Sequence, residues 1–193
     1  MEHDPLRKSM KRREVQGGIR FVTFSTYQRK PLLIRPGVAD EFVTAMSKAR
    51  MEMGYKLYAW VIMPEHVHMM LLPPESVALS RILTSIKVRV AKRVMQAWQR
   101  MDDAILHDIV DVNCRTRFWQ YGGGFDRNVR TDEELAKEIR YIHRNPIERG
   151  LVTRPEDWRW SSVRWRMGKR TGEVECDELK GSGGAWQLWK GYM

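Results

Sequence analysis

The stretch Trp60–Leu72 constrains the fold more than any other part of this chain. It contains two apolar runs that are separated only by a Pro-Glu pair, and the second run carries His66 and His68. Apolar runs of this length beside a proline-containing break are typical of buried strands. Because side chains alternate between the two faces of a strand, we expect both histidines to point to one face. Their apolar neighbours then point to the other.

Two imidazoles on one face of a strand have two interpretations. Imidazole is a common metal ligand, and adjacent same-face histidines can converge on one ion. Alternatively, His66 and His68 are core residues that form hydrogen bonds with their neighbours. The pair alone does not distinguish a metal site from a structural role.

The charge balance favours an anionic partner. The 193 residues carry 34 Lys and Arg against 24 Asp and Glu, which gives a net charge of +10 and a pI near 9.9. Such an excess is typical of proteins that bind nucleic acid or another anionic surface. Eight tryptophans add aromatic faces that can stack on bases, although tryptophan is more often a core residue.

Composition also indicates the compartment. No apolar run reaches the length of about 18 residues that a membrane span needs, and the charged N-terminal stretch contains no apolar signal region. Cys114 and Cys176 are far apart and form no disulfide framework or zinc ribbon. We therefore expect a cytoplasmic protein with no membrane partner, which a nucleic-acid partner would bring to the nucleoid.

The order of predicted elements indicates an α+β fold. It is β-α-β-β-α-β, the split β-α-β arrangement of ferredoxin-like and RNA-recognition-like sheets, with a further helix after the last strand. A basic arm (1–18) and a loose C-terminal tail (167–193) flank a single domain (19–166). The predicted strands are Ile19–Thr26, Tyr55–Met63, the histidine strand and Phe125–Arg130, and the predicted helices are Val38–Met53, Ser80–Arg100 and Thr131–Asn145.

The last helix brings a tyrosine and an asparagine to one position. Thr131 begins the helix with a capping box, and Pro146 predicts its end at about Asn145. Tyr141 and Asn145 are one turn apart, about 40° from each other on the flank of the buried stripe, whereas His143 lies about 200° from the tyrosine. The buried stripe consists of Leu135, Ile139 and Ile142.

Taken with the histidine pair, these residues suggest phosphodiester chemistry. A metal held by two imidazoles and one amide oxygen keeps open positions for a phosphate oxygen. A tyrosine one helical turn from the amide is then poised to attack the phosphorus. The simpler interpretation is a half-buried tyrosine and an asparagine that ends a helix.

In an ordered set of segments, the chain resembles the single-tyrosine HUH transposases and, among them, the REP-associated tyrosine transposases. The resemblance covers about residues 19–166 and reaches neither the tail nor the insertion Gly122–Gly124. The matching segments are Phe21–Thr26, Lys30–Leu33, Val61–His68, Phe118–Gln120, Tyr141–Pro146, Gly150–Val152 and Pro155–Ser162.

The resemblance implies a role for each of four residues. His66 and His68 are the HUH pair, Asn145 takes the position of the third metal ligand, and Tyr141 is the nucleophile. It further implies Mg²⁺ or Mn²⁺ as cofactor and single-stranded DNA as substrate, cut to leave a 5′-phosphotyrosine and a free 3′-OH. The implied target is a REP-type hairpin with a short guide sequence beside it. We expect a monomer without an obligate protein partner.

Other basic residues are candidates for supporting roles. Lys137, one turn before Tyr141, can supply positive charge to the nucleophile or help to remove its proton, or it is an exposed lysine paired with a nearby acid. The N-terminal arm and seven further residues are candidates for a phosphate track. These residues are Arg89, Lys92, Arg93, Arg127, Arg130, Arg140 and Arg144.

Two rival functions remain open. A non-catalytic nucleic-acid-binding module on an RNA-recognition-like sheet would expose aromatic residues on the sheet face, where this chain has a histidine pair. A zinc-dependent hydrolase would need a third strong ligand and a general base, and Asn145 is a weak ligand for zinc.

Overall fold

Four strands and four α-helices form most of the regular structure of residues 17–122, 124–169 and 174–178, which are the residues that the computed structural model describes. The strands are β1 (Ile19–Ser25), β2 (Lys56–Ile62), β3 (His66–Leu72) and β4 (Phe125–Val129). The helices are α1 (Val38–Met53), α2 (Leu79–Arg100), α3 (Ile105–Asp108) and α4 (Asp132–Glu148). The predicted α+β fold is confirmed, with the short α3 added between α2 and β4.

The sheet is fully antiparallel and has the strand order β2-β3-β1-β4. This order is that of the split β-α-β arrangement predicted from the sequence. The histidine strand β3 therefore lies in the middle of the sheet, between β2 and β1. The register places Thr23 of β1 opposite His68 and Ser25 opposite His66.

The two faces of the sheet carry different layers. Val67, Met69 and Leu71 point into the larger core, which α1 and α2 cover. Met70 points to the opposite face, where it packs against the buried stripe of α4, namely Leu135, Ile139 and Ile142. The alternation of β3 thus places both histidines on one face, as predicted, and that face is the one that α4 covers.

Turn and capping residues fix the helix ends. Gly54 ends α1 in the left-handed conformation, with φ of 67°, and its N–H donates to the carbonyl of Arg50. At the start of α4, the hydroxyl of Thr131 accepts a hydrogen bond from the N–H of Glu134. The Glu134 carboxylate accepts from the N–H of Arg130 instead of closing the reciprocal capping-box bond.

The predicted end of α4 at Asn145 is wrong. The helix continues through Pro146 to Glu148, and the N–H of Arg149 donates to the carbonyl of Asn145. A proline so close to the end of a helix removes only one backbone hydrogen bond, and Pro146 is itself buried. The extra turn carries the chain past Asn145 in helical geometry and brings Arg149 beside the site described below.

Gly124 lets the chain enter β4 against β1. Its φ is 75°, and a Cβ at this position would collide with the carbonyl oxygen of Thr23 and with Phe24. Only glycine allows this close approach of two backbones. Of the other two residues of the predicted insertion, Gly122 is among the described residues and residue 123 is not.

Residues after α4 cover the free edge of β2. The N–H of Ser162 donates to the carbonyl of Trp60, and the N–H of Asp177 donates to the carbonyl of Leu57. Val174 and Cys176 join the larger core, so this part of the predicted tail packs on the domain. The other tail residues after 169 and the arm up to residue 16 lie outside the described residues. Among the described helices, none is both long enough and apolar enough to cross a membrane.

Candidate active site

The two histidines of β3 converge at one point on the α4 face. Both side chains are buried, and the Nε2 atoms of His66 and His68 are 3.0 Å apart. Their rings are nearly perpendicular, at 80°. Two ring nitrogens directed at a common point can act as a pair of ligands for one ion.

Neighbouring side chains fix the orientation of both rings. The carboxylate of Glu65 accepts a hydrogen bond from Nδ1 of His66 at 3.0 Å, which leaves the lone pair of that ring on Nε2. A hydrogen bond of 2.6 Å joins the hydroxyl of Thr23 to Nδ1 of His68. Partners of this kind commonly orient metal-binding histidines from behind.

Burial favours the neutral form of both imidazoles. It lowers the pKa of His66, although the neighbouring Glu65 opposes that shift. It lowers the pKa of His68 to about 3, and repulsion from Arg29, and from His66 when that ring is protonated, adds to the effect. A neutral imidazole is the form that binds a metal ion.

Asn145 brings an amide to the same point. Its Nδ2 atom lies 3.4 Å from Nε2 of His68, and its Oδ1 atom is buried without a hydrogen-bond partner among the described residues. A 180° rotation of the amide exchanges these two atoms and turns the oxygen toward the imidazoles. No group of three His, Cys, Asp or Glu side chains in the described part of the chain is arranged to hold a metal. The amide of Asn145 is a further polar group close to the two imidazole nitrogens.

Tyr141 lies beside the histidines, one turn before Asn145. Its ring packs edge-on against His68 with 5.2 Å between ring centres, and Phe21 lies behind it at 6.0 Å. The tyrosine is 40% exposed and lines the open cavity described below. The structure thus brings together all four residues that the sequence analysis combined.

These residues line one open cavity of about 720 Å³. Its size is within the range of ordinary ligand sites in proteins. Phe21 lies on its floor and is buried under α4, so this sheet face is not the open aromatic platform of an RNA-recognition module. The lining residues are Phe21, Thr23, Arg29, His66, His68, Phe125, Lys137, Glu138, Tyr141, Asn145, Glu148 and Arg149.

Several of the predicted basic residues lie at or near this cavity. Lys137 lines it. Arg127 forms an ion pair with Glu138 and lies 5.7 Å above the ring of Phe21. Arg144 lies one turn after Arg140 on α4 and is 3.6 Å from the carboxylate of Glu148. Arg130 is exposed, and it begins the turn into α4.

The other predicted basic residues lie on the opposite layer. Arg89 and Arg93 of α2 form ion pairs with Glu52 and Glu41 of α1, and Lys92 is exposed beside them. Helix α2 covers the face of the sheet that points away from the histidines. These three residues are therefore not part of the cavity, and their contact with DNA remains a prediction.

His143 does not join the site, as its position on the helix predicts. It is buried on the other side of α4, where Nε2 forms a hydrogen bond of 2.9 Å with the hydroxyl of Ser162. Burial lowers its pKa to about 3, with a further contribution from Arg166. His143 therefore has a structural role, and its hydrogen bond links α4 to the segment that follows the helix.

The sequence analysis missed four residues around the histidines: Thr23, Arg29, Glu65 and Arg149. Each lies in or beside a segment that carried the resemblance, but only the fold brings them together. Glu65 directly precedes His66, and an acid next to a candidate ligand is a signal that sequence alone could have offered. Thr23, Arg29 and Arg149 carry no comparable signal.

Known transposases resemble this chain over about three quarters of its length. The family model described as "Transposase IS200 like" matches residues 16–122. The chain is 22% identical to the REP-associated tyrosine transposase of Escherichia coli K12 over 149 residues, which cover 77% of this chain and 78% of that protein. A candidate REP-associated tyrosine transposase of Haemophilus influenzae is 24% identical over 152 residues, with coverage of 76% and 80%.

A solved structure shares the fold. It is that of a REP-associated tyrosine transposase bound to a REP hairpin, with a TM-score of 0.64 and 20% sequence identity. The similarity covers 88% of this chain and 92% of the other. At this level of identity, the match establishes the fold.

Proposed function

This chain belongs to the IS200-like transposase family and is an enzyme of DNA cleavage and transfer, and from that premise we propose that it cuts and rejoins single-stranded DNA through a covalent bond to Tyr141. In this proposal, His66, His68 and Asn145 would hold a divalent cation, Mg²⁺ or Mn²⁺. The observation that carries the proposal is the convergence of two imidazole nitrogens, an amide and a tyrosine in one open cavity.

The donor groups are suited to a metal ion. The Nε2 atom of His66 carries a lone pair, because Nδ1 of that ring donates to Glu65. After the amide rotation described above, the Oδ1 atom of Asn145 would face the two imidazole nitrogens and could bind the cation. Two nitrogens and one oxygen leave further coordination positions open for a substrate. When bound, the cation would stabilise the charge that develops on the phosphate and orient that group.

The residues of the chain account for the transfer step. The hydroxyl oxygen of Tyr141 attacks the phosphorus and loses its proton, and the bond between phosphorus and the 3′-oxygen breaks. The 3′-oxygen takes up a proton and leaves as a free 3′-OH, while the 5′-phosphate stays on the tyrosine. One phosphodiester bond replaces another, so the reverse attack by a 3′-OH rejoins DNA. Lys137 is the candidate to stabilise the tyrosinate with its positive charge, since it lines the same cavity.

The proposed substrate is single-stranded DNA that carries a REP-type hairpin. The net charge of +10 favours a polyanionic partner. A relative of the same fold binds a REP hairpin, which supports this choice of substrate. Tyr141 lies against the histidines of its own chain, and this supports an active site that is complete within a monomer.

A labelled-strand experiment tests the proposal. A hairpin oligonucleotide with a single-stranded flank is incubated with the protein, with Mg²⁺ or with EDTA, and the products are separated on a denaturing gel. We expect the label to migrate with the protein only when it is on the 3′ end of the DNA, because the protein keeps the 5′-phosphate side of the cut. A 5′-labelled substrate should release a free fragment that ends in 3′-OH. An adduct that retains the 5′ label, or cleavage without any adduct, would contradict the proposal.

A further inference from the structure

The buried carboxylate of Glu65 holds two arginines at the edge of the cavity. Its side chain is only 7% exposed. Its Oε1 atom lies 2.7 Å from Nη2 of Arg29 and 3.1 Å from Nη1 of Arg149, in addition to its contact with His66. Two guanidinium groups within 3.1 Å of one carboxylate oxygen stabilise its charged form. The carboxylate is therefore a charged anchor.

The two arginines come from distant parts of the chain. Arg29 follows β1, and Arg149 follows the last turn of α4. Their side chains are 57% and 50% exposed, and both line the cavity that contains Tyr141. Each guanidinium group has five N–H donors. The N–H donors of each arginine that do not point to Glu65 can bind a ligand in the cavity.

Arg29 is held in a strained backbone conformation. Both Gln28 and Arg29 have positive φ values, 52° and 53°, which residues other than glycine rarely adopt. The buried Thr26 fixes this turn, since its N–H donates to the carbonyl of Glu65 at 3.0 Å and its hydroxyl donates to the carbonyl of Lys30 at 2.6 Å. The N–H of Gln28 donates to the side chain of Gln120 at 2.9 Å. Strain that the surroundings maintain in this way is concentrated at functional sites.

The local charge favours an anion beside the two arginines. One carboxylate faces two guanidinium groups, so one positive charge remains. The other two carboxylates that line the cavity have arginine partners of their own: Glu138 pairs with Arg127, and Glu148 lies near Arg144. A phosphate at this edge of the cavity would therefore meet the positive charge of two arginines whose positions are held by Glu65.

We propose that Arg29 and Arg149 form an arginine clamp that binds one backbone phosphate of the DNA strand next to the candidate metal site. The clamp rests on the proposed function, because it requires single-stranded DNA to enter the cavity. Paired guanidinium groups bind phosphate oxygens by charge-assisted hydrogen bonds. Glu65 presets their positions, so the strand is held in register with Tyr141 before the chemical step.

Binding without catalysis tests the clamp. The affinity of the full-length protein for the hairpin oligonucleotide is measured by fluorescence anisotropy in EDTA, over a range of salt concentrations. Arg29→Gln and Arg149→Gln are compared with Arg154→Gln, which removes an exposed arginine paired with Asp157 outside the cavity. Removing one ion pair between an arginine and a phosphate of a single strand should lower the slope of log K against log salt by about 0.7. The variants Arg29→Lys and Arg149→Lys keep the charge and should retain most of the slope.

A second measurement locates the phosphate. Single neutral methylphosphonates are introduced in turn along the strand. For the wild type, we expect roughly a tenfold loss of affinity at one position, and no such loss at that position for the double Arg29→Gln, Arg149→Gln variant. Equal affinity, slope and position dependence in the wild type and the double variant would overturn the clamp but leave the proposed function intact. A wild-type protein that does not bind the oligonucleotide at any salt concentration would overturn both.

Discussion

The ring of Tyr141 packs edge-on against the imidazole of His68, with 5.2 Å between the ring centres. These residues come from α4 and β3, and they meet because α4 crosses the sheet face to which the β3 histidines point. The contact joins the candidate nucleophile to the candidate metal ligands in one chain. The expected effects of mutation and pH follow from this arrangement.

The site histidine His66 and the structural histidine His143 should respond differently to mutation. His66→Ala should abolish Mn²⁺ binding and DNA cleavage with little change in melting temperature. His143→Ala should keep Mn²⁺ binding but destabilise the protein by about 1–3 kcal/mol, because it leaves the buried hydroxyl of Ser162 with one partner fewer. Electron paramagnetic resonance of Mn²⁺ and thermal unfolding measure the two effects. Normal metal binding and full nuclease activity in His66→Ala would show that the metal assignment is wrong.

Thr23 should act on the metal site through His68. Thr23→Val removes the hydroxyl that bonds to Nδ1 of that imidazole but retains a side chain of similar shape. We expect Mn²⁺ affinity to fall by about 10- to 100-fold, as is typical when the partner of a metal-binding histidine is removed. Thr23→Ser keeps the hydroxyl and is the matched control. Equal Mn²⁺ affinity in titrations of the wild type and Thr23→Val would contradict this role.

Stability should decrease as the pH falls below about 6.5. Burial lowers the pKa values of His68 and His143 to about 3, from an ordinary value of 6.5. Between about pH 3 and pH 6.5, these imidazoles bind protons in the unfolded chain but not in the folded chain. A fall in pH therefore favours unfolding. Between about pH 7 and pH 5, each such imidazole should remove roughly 1–2 kcal/mol from the free energy of unfolding.

Urea denaturation at several pH values measures this decrease. His143→Gln should make the decline shallower, because one of the titrating groups is gone. A free energy of unfolding that stays constant or rises between about pH 7 and pH 5 would show that these histidines are not buried in their neutral form.

The arginines of α2 test how far the DNA path extends. Arg89→Ala combined with Arg93→Ala should reduce the salt dependence of single-stranded DNA binding, by about 0.7 in slope for each phosphate that the variant no longer binds. Both residues form ion pairs with α1, on the layer opposite the cavity. Anisotropy titrations provide the slope, with Arg154→Ala as the control. An unchanged slope would restrict the path to the α4 face.

Local patterns in the sequence were sufficient for much of the fold. Helix α1 begins and ends at the predicted residues, because Pro36 and Gly37 precede it and Gly54 ends it. The alternation of β3 correctly assigned its two faces, and the spacing on α4 brought Tyr141 and Asn145 to one position. These features depend on residues that are close in sequence.

Features that depend on packing between distant segments could not be predicted. A preference against helical geometry before proline predicted the end of α4 at Asn145, but the buried environment of Pro146 compensates for the single missing hydrogen bond. Glu65 contacts both Arg29 and Arg149. These contacts form only when β1 has its observed register, the turn after β1 adopts its strained conformation and α4 continues through its final turn. Periodicity identified Arg93 as an exposed residue but not the layer on which it lies.

The variant Tyr141→Phe tests the central claim most directly. It removes one oxygen from a half-exposed side chain and leaves the ring in contact with His68, so the fold, Mn²⁺ affinity and DNA affinity should match those of the wild type. With 3′-labelled hairpin DNA and Mg²⁺, the wild type should form a covalent adduct and the variant should form none. An adduct of normal yield with Tyr141→Phe would show that another residue is the nucleophile and would contradict this account.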